Sequence, residues 1–456
     1  MKNKYIVLAV VCLSAGLVPF SGSSINLALK GIAMDLSMSA VALSWVATSM
    51  MLPSAVLQIP FGKAGDLFGR KKILILGVLL FSAASFGCLF VTSGTLLLAM
   101  RFVQGVASAM LFGVSVAILM SVFPREERGK VLGINTAVIY FALASGPFFG
   151  GMLTHYFGWR SIFFVTACLG VLALLGIFFF VKGEWTEAKG EKFDWKGMCV
   201  YSVALIGILW GFSMLPALLG IALIVMGLLS LAAFVFVEKR QTTPMFDMNM
   251  FLSNRIFRFS LFAALINYAA TSAIAFLMSL YLQYIKGFNA QHAGWILLAQ
   301  PVMMMCLSPL AGRWSDKVNA GKIATLGMAI IVVCLGLLSF ISPETPLVAL
   351  VAILLILGVG FALFSSPNMN MIMNSVEKRH VGMASATSGT MRLVGQAFSM
   401  GIVMMMISVF MGALQITIDV YPLLMKCLRY TFIVFTALCC LGVYLSMVRN
   451  EKKSTD

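Results

Sequence analysis

Apolar stretches of roughly 20 residues, the length a helix needs to cross about 30 Å of hydrocarbon, recur from one end of the chain to the other. They fall at about 5–29, 41–61, 73–92, 94–120, 131–153, 160–181, 197–213, 217–237, 256–282, 291–311, 322–341, 346–372, 381–411 and 427–448. Inside a bilayer each such segment must satisfy its own backbone donors and acceptors, and a helix does this without help from neighbours. The chain is therefore read as an all-α polytopic membrane protein with fourteen transmembrane helices. Its 456 residues are 61% hydrophobic and 11% charged, a balance no soluble domain of that length shows.

The net charge of +16 raises nucleic acid as a partner. The distribution of the charge argues against it. Of the 32 Lys and Arg, Lys30, Arg160, Lys286, Lys426 and Arg429 fall on one side of the alternating spans. Arg101 and Arg392 fall inside helices, and all the others share the side of the two termini. The positive-inside rule makes that side cytoplasmic, so the expectation is a multi-pass protein of the cytoplasmic membrane, with the lipid bilayer as partner and no nucleic acid. The apolar run from Tyr5 to Leu29 is too long for a signal peptide and is read as the first span. The nine cysteines lack metal-ligand spacing and read as small apolar helix residues. Neither metal nor cofactor is expected.

Polar stretches at Lys182–Lys196 and Glu238–Arg255 divide the chain into a first six-helix bundle (1–182), linkers with an inserted hairpin turning at Met214-Leu215-Pro216 (183–255), and a second six-helix bundle (256–456). An internal repeat agrees with this. Gly62-Lys63-Ala64-Gly65-Asp66 closes the second span and Gly312-Arg313-Trp314-Ser315-Asp316 closes the tenth, the same place in each half. Duplication of this kind is characteristic of transporters that bind a small molecule between their halves.

Three motifs carry candidate chemistry. Gly62 to Lys72 combines glycines for tight turning with Asp66, Gly69 and Arg70, a carboxylate beside cations that can pair in one conformation and part in another; the bland alternative is a charged turn. In the fourth span Arg101, Gln104 and Gly105 place a guanidinium too deep to snorkel, so Arg101 faces a polar interior; a structural hydrogen bond between helices is the alternative. In the fifth span Gly146, Pro147, Gly150 and Gly151 provide a site for bending or close packing.

In these motifs and their order the sequence resembles the major facilitator superfamily, and within it the fourteen-helix drug:proton antiporter branch. Trp45 to Leu52 and Phe193 to Gly197 resemble further segments of that branch. The resemblance implies a major facilitator fold of two six-helix bundles plus an inserted two-helix hairpin. It implies multidrug-type efflux of a small-molecule substrate with a coupling proton, Asp66 and Arg70 as a latch with Gly312 and Asp316 as its repeat, Arg101 in coupling, and Gly146–Gly151 as an exporter hinge.

The chain departs from that branch where helix 1 usually carries an aspartate: the position holds Ser21, and the proline that usually follows is Lys30. All 16 acids fall in loops, at helix edges or in tails. The polar residues left for a cavity are Ser21, Asn26, Gln58, Asn267, Tyr268, Gln300, Asn368, Arg392 and Gln396, a neutral-to-positive set that favours neutral or anionic cargo over lipophilic cations. A membrane enzyme is not expected, because no span holds a His/Asp/Glu cluster or a Ser–His pair. An exporter with altered coupling leads. A facilitator or importer of a neutral or anionic solute, or a non-transporting receptor on a transporter fold, are the alternatives.

Overall fold

The computed structural model describes residues 2–124, 127–186, 193–215, 217–240, 248–376, 381–412, 414 and 416–450. Fourteen helices are long and apolar enough to span a bilayer. They are α1 (Lys4–Leu36), α2 (Ala40–Phe68), α3 (Arg70–Phe90), α4 (Gly94–Val122), α5 (Ala137–Phe157), α6 (Arg160–Phe180) and α7 (Trp195–Phe212). There follow α8 (Leu218–Glu238), α9 (Arg255–Ile285), α10 (Ala290–Ser315), α11 (Ala320–Leu338), α12 (Leu347–Asn374), α13 (Thr387–Phe410) and α14 (Ile418–Met447). We call the side carrying the start of α1 and the end of α14 the terminal end, and the opposite side the far end.

Short polar residues start these helices where the chain turns. Side-chain oxygens of Ser39, Ser93, Asp194, Asn254 and Asn289 accept from the first-turn amides of α2, α4, α7, α9 and α10, so orphan N–H groups are satisfied by the sequence itself. Several helices outrun their hydropathy. α1 continues through Lys30 to Leu36, and α2 continues through Gly62 and Asp66 to Phe68. The expectation of a loop after the second span is thus corrected: the motif is helical until Gly69, whose φ of +118° breaks α2 from α3. α9 is interrupted at Ser272-Ala273 and ends in a π-helical turn, Tyr281–Ile285. α10 is interrupted at Leu298, just ahead of Pro301, which has no N–H to return to the preceding turn.

The packing is duplicated. α2/α4, α1/α5, α3/α4, α3/α6, α1/α6 and α1/α4 pack in the first half, and α10/α12, α9/α13, α11/α12, α11/α14, α9/α14 and α9/α12 repeat those pairs eight helices later. The halves meet by α2 against α13 and α5 against α10, a reciprocal pair under the same offset. Hairpin helix α7 lies on α2 and α13, with α8 packed on α7. The fold is two six-helix bundles with a two-helix insertion.

Candidate functional site between the halves

At the far end the two halves clasp. Gly151 of α5 faces the carbonyl of Ala290 on α10, and Gly294 faces the carbonyl of Pro147; a Cβ on either glycine would lie 2.6 or 2.2 Å from that oxygen. Only glycine permits this approach. Gly146 and Gly150, on a neighbouring face of α5, pack against Ser23 and Ser24 of α1, where a Cβ on Gly146 would come within 1.7 Å of the Ser23 hydroxyl. The segment therefore joins α5 to its own half by one face and to the opposite half by the next. Lys30 donates to the Gln283 carbonyl at 3.0 Å and lies over the Tyr284 ring. The Ser279 hydroxyl donates to the Asn26 carbonyl and accepts from the Gln283 side chain. Ala40 N–H donates to the Leu414 carbonyl at 3.1 Å.

Near the middle of the helices a polar cluster crosses the interface. The Arg392 guanidinium of α13 stands 5.8 Å from the centroid of the Phe112 ring on α4. The Tyr140 and Ser365 hydroxyls, on α5 and α12, are 2.7 Å apart. Tyr140 also lies within electrostatic reach of Tyr268 on α9 and of Arg392. Gln58 of α2 faces Gly389 of the α13 helix, its Nε2 3.3 Å from where a Cβ would sit, and its Oε1 has no hydrogen-bond partner among the described residues. No carboxylate among the described residues joins the cluster: Asp35, Asp66, Glu127, Glu184, Asp194, Glu238, Glu344 and Asp419 all lie at helix ends or in connections.

Arg101 sits apart, inside the first half and 1% exposed. Its Nε donates to the Val46 carbonyl at 3.0 Å, and Nη1 donates to Ser21 at 3.3 Å and to Gln104 at 2.9 Å, while Gln104 donates to Ser85 at 2.8 Å. The guanidinium thus joins α4 to α1 and α2, and through Gln104 to α3, using neutral acceptors. Gly105 lets α4 press on α2, its Cβ position 2.2 Å from the Met50 carbonyl. Ser21 of α1 is thus one of three neutral acceptors around the guanidinium.

At the terminal end Asp66 and Arg70 pair at 2.7 Å, and Arg70 also donates to Ser121 at 2.6 Å and to the Ala117 carbonyl at 3.2 Å. This pairing ties α2, α3 and α4 within one half. Gly69 abuts Glu184, whose Oε1 accepts from the Lys71 amide at 2.8 Å. Gly62 approaches Gly113 of α4. Gly312 packs on Ser366 of α12, whereas the Asp316 side chain lies outside the described residues.

The remaining sequence candidates separate. Asn26 contributes its backbone carbonyl to the far-end clasp. Asn267 is 1% exposed with neither side-chain atom hydrogen-bonded among the described residues. Asn368 donates to the Ser260 carbonyl within the second half. Gln300 meets Gly358 through its carbonyl, and Gln396 is half-buried on α13. Sequence reasoning missed Phe112, Tyr140 and Ser365. Tyr140, a polar aromatic inside a span, left a signal; Phe112 in an apolar helix left none. It also gave no hint that Glu238, at the end of α8, is 2% exposed and lies near Asp194 around Gly197.

Two duplicated bundles clasped at one end, with a polar cluster between them at mid-height, define a polytopic transporter-type membrane protein. Residues 11–257 and 260–456 match the Major Facilitator Superfamily model, and the chain belongs to that family. It is 31% identical to the riboflavin transporter RibZ of Clostridioides difficile, over 86% of each chain. It is 27% identical to the multidrug resistance protein Stp of Mycobacterium tuberculosis, over 85% of this chain and 73% of that protein. Among solved structures, a bacterial homologue of the human lysosomal transporter Spinster, inward-facing and unoccupied, covers 98% of this chain and 97% of its own with a TM-score of 0.71 at 15% identity. The nucleoside transporter NupG gives a TM-score of 0.64 at 13% identity, covering 98% of this chain and 100% of its own.

Proposed function

We propose that this protein is a secondary transporter that exports small neutral or anionic solutes across the cytoplasmic membrane by alternating access. The observation that carries the reading is the site between the halves: clasped at the far end, and furnished at mid-height with Arg392, Tyr140, Tyr268, Ser365 and Gln58 but no described carboxylate. With the Lys/Arg-rich terminal end in the cytoplasm, a far-end clasp corresponds to the inward-facing state. Asp66 and Arg70 act as a latch whose partners change as the halves rock. Export is supported by the Gly146–Gly151 segment and by the names of two relatives, Stp and the tetracenomycin C resistance and export protein of Streptomyces glaucescens, the latter 24% identical over 91% of this chain and 77% of its own. The RibZ relative is named for an uncharged, planar solute. Uptake or facilitated passage of the same solutes is the second reading, favoured by the neutral partners of Arg101. Flux into and out of proteoliposomes of cationic, neutral and anionic compounds, with and without a pH gradient, tests both. Movement of cations alone defeats the cargo assignment, and no flux of any class defeats the transporter reading.

A further inference from the structure

Arg392 differs from Arg101 in what it does with its charge. A guanidinium in the middle of a span must recover the hydration it lost; Arg101 does so with three hydrogen bonds to neutral acceptors. Arg392 is half-buried, and its contact among the described residues is the face of Phe112, which holds the cation by the ring quadrupole and satisfies none of its N–H donors. Phe112 belongs to the opposite half. Around this pair stand the phenols of Tyr140 and Tyr268 and the hydroxyl of Ser365, drawn from both halves and set well inside the helices Arg128–Phe157, Arg255–Ile285 and Leu347–Asn374. Such a site holds a flat aromatic face, a planar fork of unused donors and hydroxyls able to donate or accept. Among the described residues it has no carboxylate to pair with a cation.

We infer that Arg392, Phe112, Tyr140, Tyr268 and Ser365 form a binding site for a planar aromatic solute bearing a carbonyl-rich or anionic edge, the ring lying against Phe112 and the edge accepting from the Arg392 fork. This rests on the proposed transport of neutral or anionic solutes and assigns its site and ligand class. The fork reads two adjacent acceptors at once, which a lysine in its place cannot do. Because the ligand would bridge α4 and α5 of one half to α9, α12 and α13 of the other, it also contacts both moving bodies, as a transported solute must.

The test is binding of riboflavin, whose ring edge carries adjacent acceptor pairs, each a carbonyl oxygen beside an unprotonated ring nitrogen, to the full chain in detergent, followed by quenching of flavin fluorescence. Flux into proteoliposomes is measured in parallel with riboflavin, its 5′-phosphate, ethidium and a small aliphatic carboxylate. Arg392→Gln should weaken riboflavin binding at least tenfold, Arg392→Lys and Phe112→Leu several-fold each, and Leu229→Ala, on the exposed face of α8, less than twofold. Thermal unfolding in detergent identifies any variant that has lost its fold, and Arg392→Lys, which keeps the charge, serves where Arg392→Gln does not fold. Equal riboflavin affinity in wild type, Arg392→Lys and Phe112→Leu overturns the site while leaving neutral or anionic transport intact. Carriage of the aliphatic carboxylate but neither flavin overturns the aromatic assignment alone. Carriage of ethidium alone overturns the underlying reading as well.

Discussion

Arg101 places a charge in hydrocarbon at a cost of about 2.5–3.5 kcal/mol on insertion scales, and hydrogen bonds to a charged donor return about 1.5–3 kcal/mol each. Its bonds to Val46, Ser21 and Gln104 therefore offset the insertion cost and fix the relative positions of α1, α2 and α4. Arg101→Leu removes both the cost and the tie. We expect normal membrane insertion and expression with flux reduced to background; flux within twofold of wild type would reduce Arg101 to packing. Gly69 gives a second residue-level test. At φ +118° with a Glu184 carboxyl carbon 2.5 Å from its Cβ position, Gly69→Val strains the backbone and pushes the linker away. Turnover should fall tenfold or more while ligand affinity stays within about twofold, and equal losses of both would move the effect to the cavity. Arg101, Gln104 and Asp66 were legible in the sequence because a charge or amide in an apolar run has to be explained. Ser85, which accepts from Gln104, was not, since serines are frequent in these spans and only the fold selects one.

At the scale of elements, hydropathy located all fourteen spans, because the length of a span is set by the thickness of the bilayer. It did not locate their true ends. α1 and α2 run on past the apolar stretch because their last turns pack on protein, and the π turn of α9 depends on an extra residue that no periodicity reveals. Under the proposed alternating access, that π turn belongs to the far-end clasp. The C-terminal carbonyls of a helix carry partial negative charge and lack intrahelical donors, and Lys30 caps the Gln283 carbonyl from the opposite half. Lys30→Met removes a charge-assisted bond found in the clasped state, so the clasped population should fall about tenfold relative to the far-end-open one. Spin-label distances between the far ends of α1 and α9 should lengthen or broaden; an unchanged distribution would show that the clasp does not depend on Lys30. Gly294→Val should act in the same direction, since a side chain cannot occupy space 2.2 Å from the Pro147 carbonyl, and overpacking of this kind costs about 1–3 kcal/mol.

For the whole molecule, the proposed alternating access requires a driving force. A carrier that exchanges a proton for a cationic solute needs a group within the barrier that gains a proton on one side and loses it on the other near neutral pH, and a carboxylate tuned by burial is the usual choice. The cluster between the halves contains a guanidinium and phenols, whose ordinary ranges lie far above neutrality, and the described carboxylates stand at helix ends. Asp66 is already committed to Arg70, and Asp35 to Trp159 and Arg160. Ser21 occupies the place beside Arg101 where an acid would face the guanidinium. We therefore expect transport to change less than about threefold when a pH gradient is imposed or collapsed, and lipophilic cations to be poor cargo. Ser21→Asp places a carboxylate next to a buried cation in the first half. It should confer pH dependence on flux and increase recognition of cations such as ethidium, with both effects reversed in Ser21→Asn. Strong gradient-driven efflux of ethidium by the unmodified chain would refute this and would assign the proton to an end carboxylate, with Asp66 the first to replace because it alone among them is paired inside the α2–α3–α4 junction.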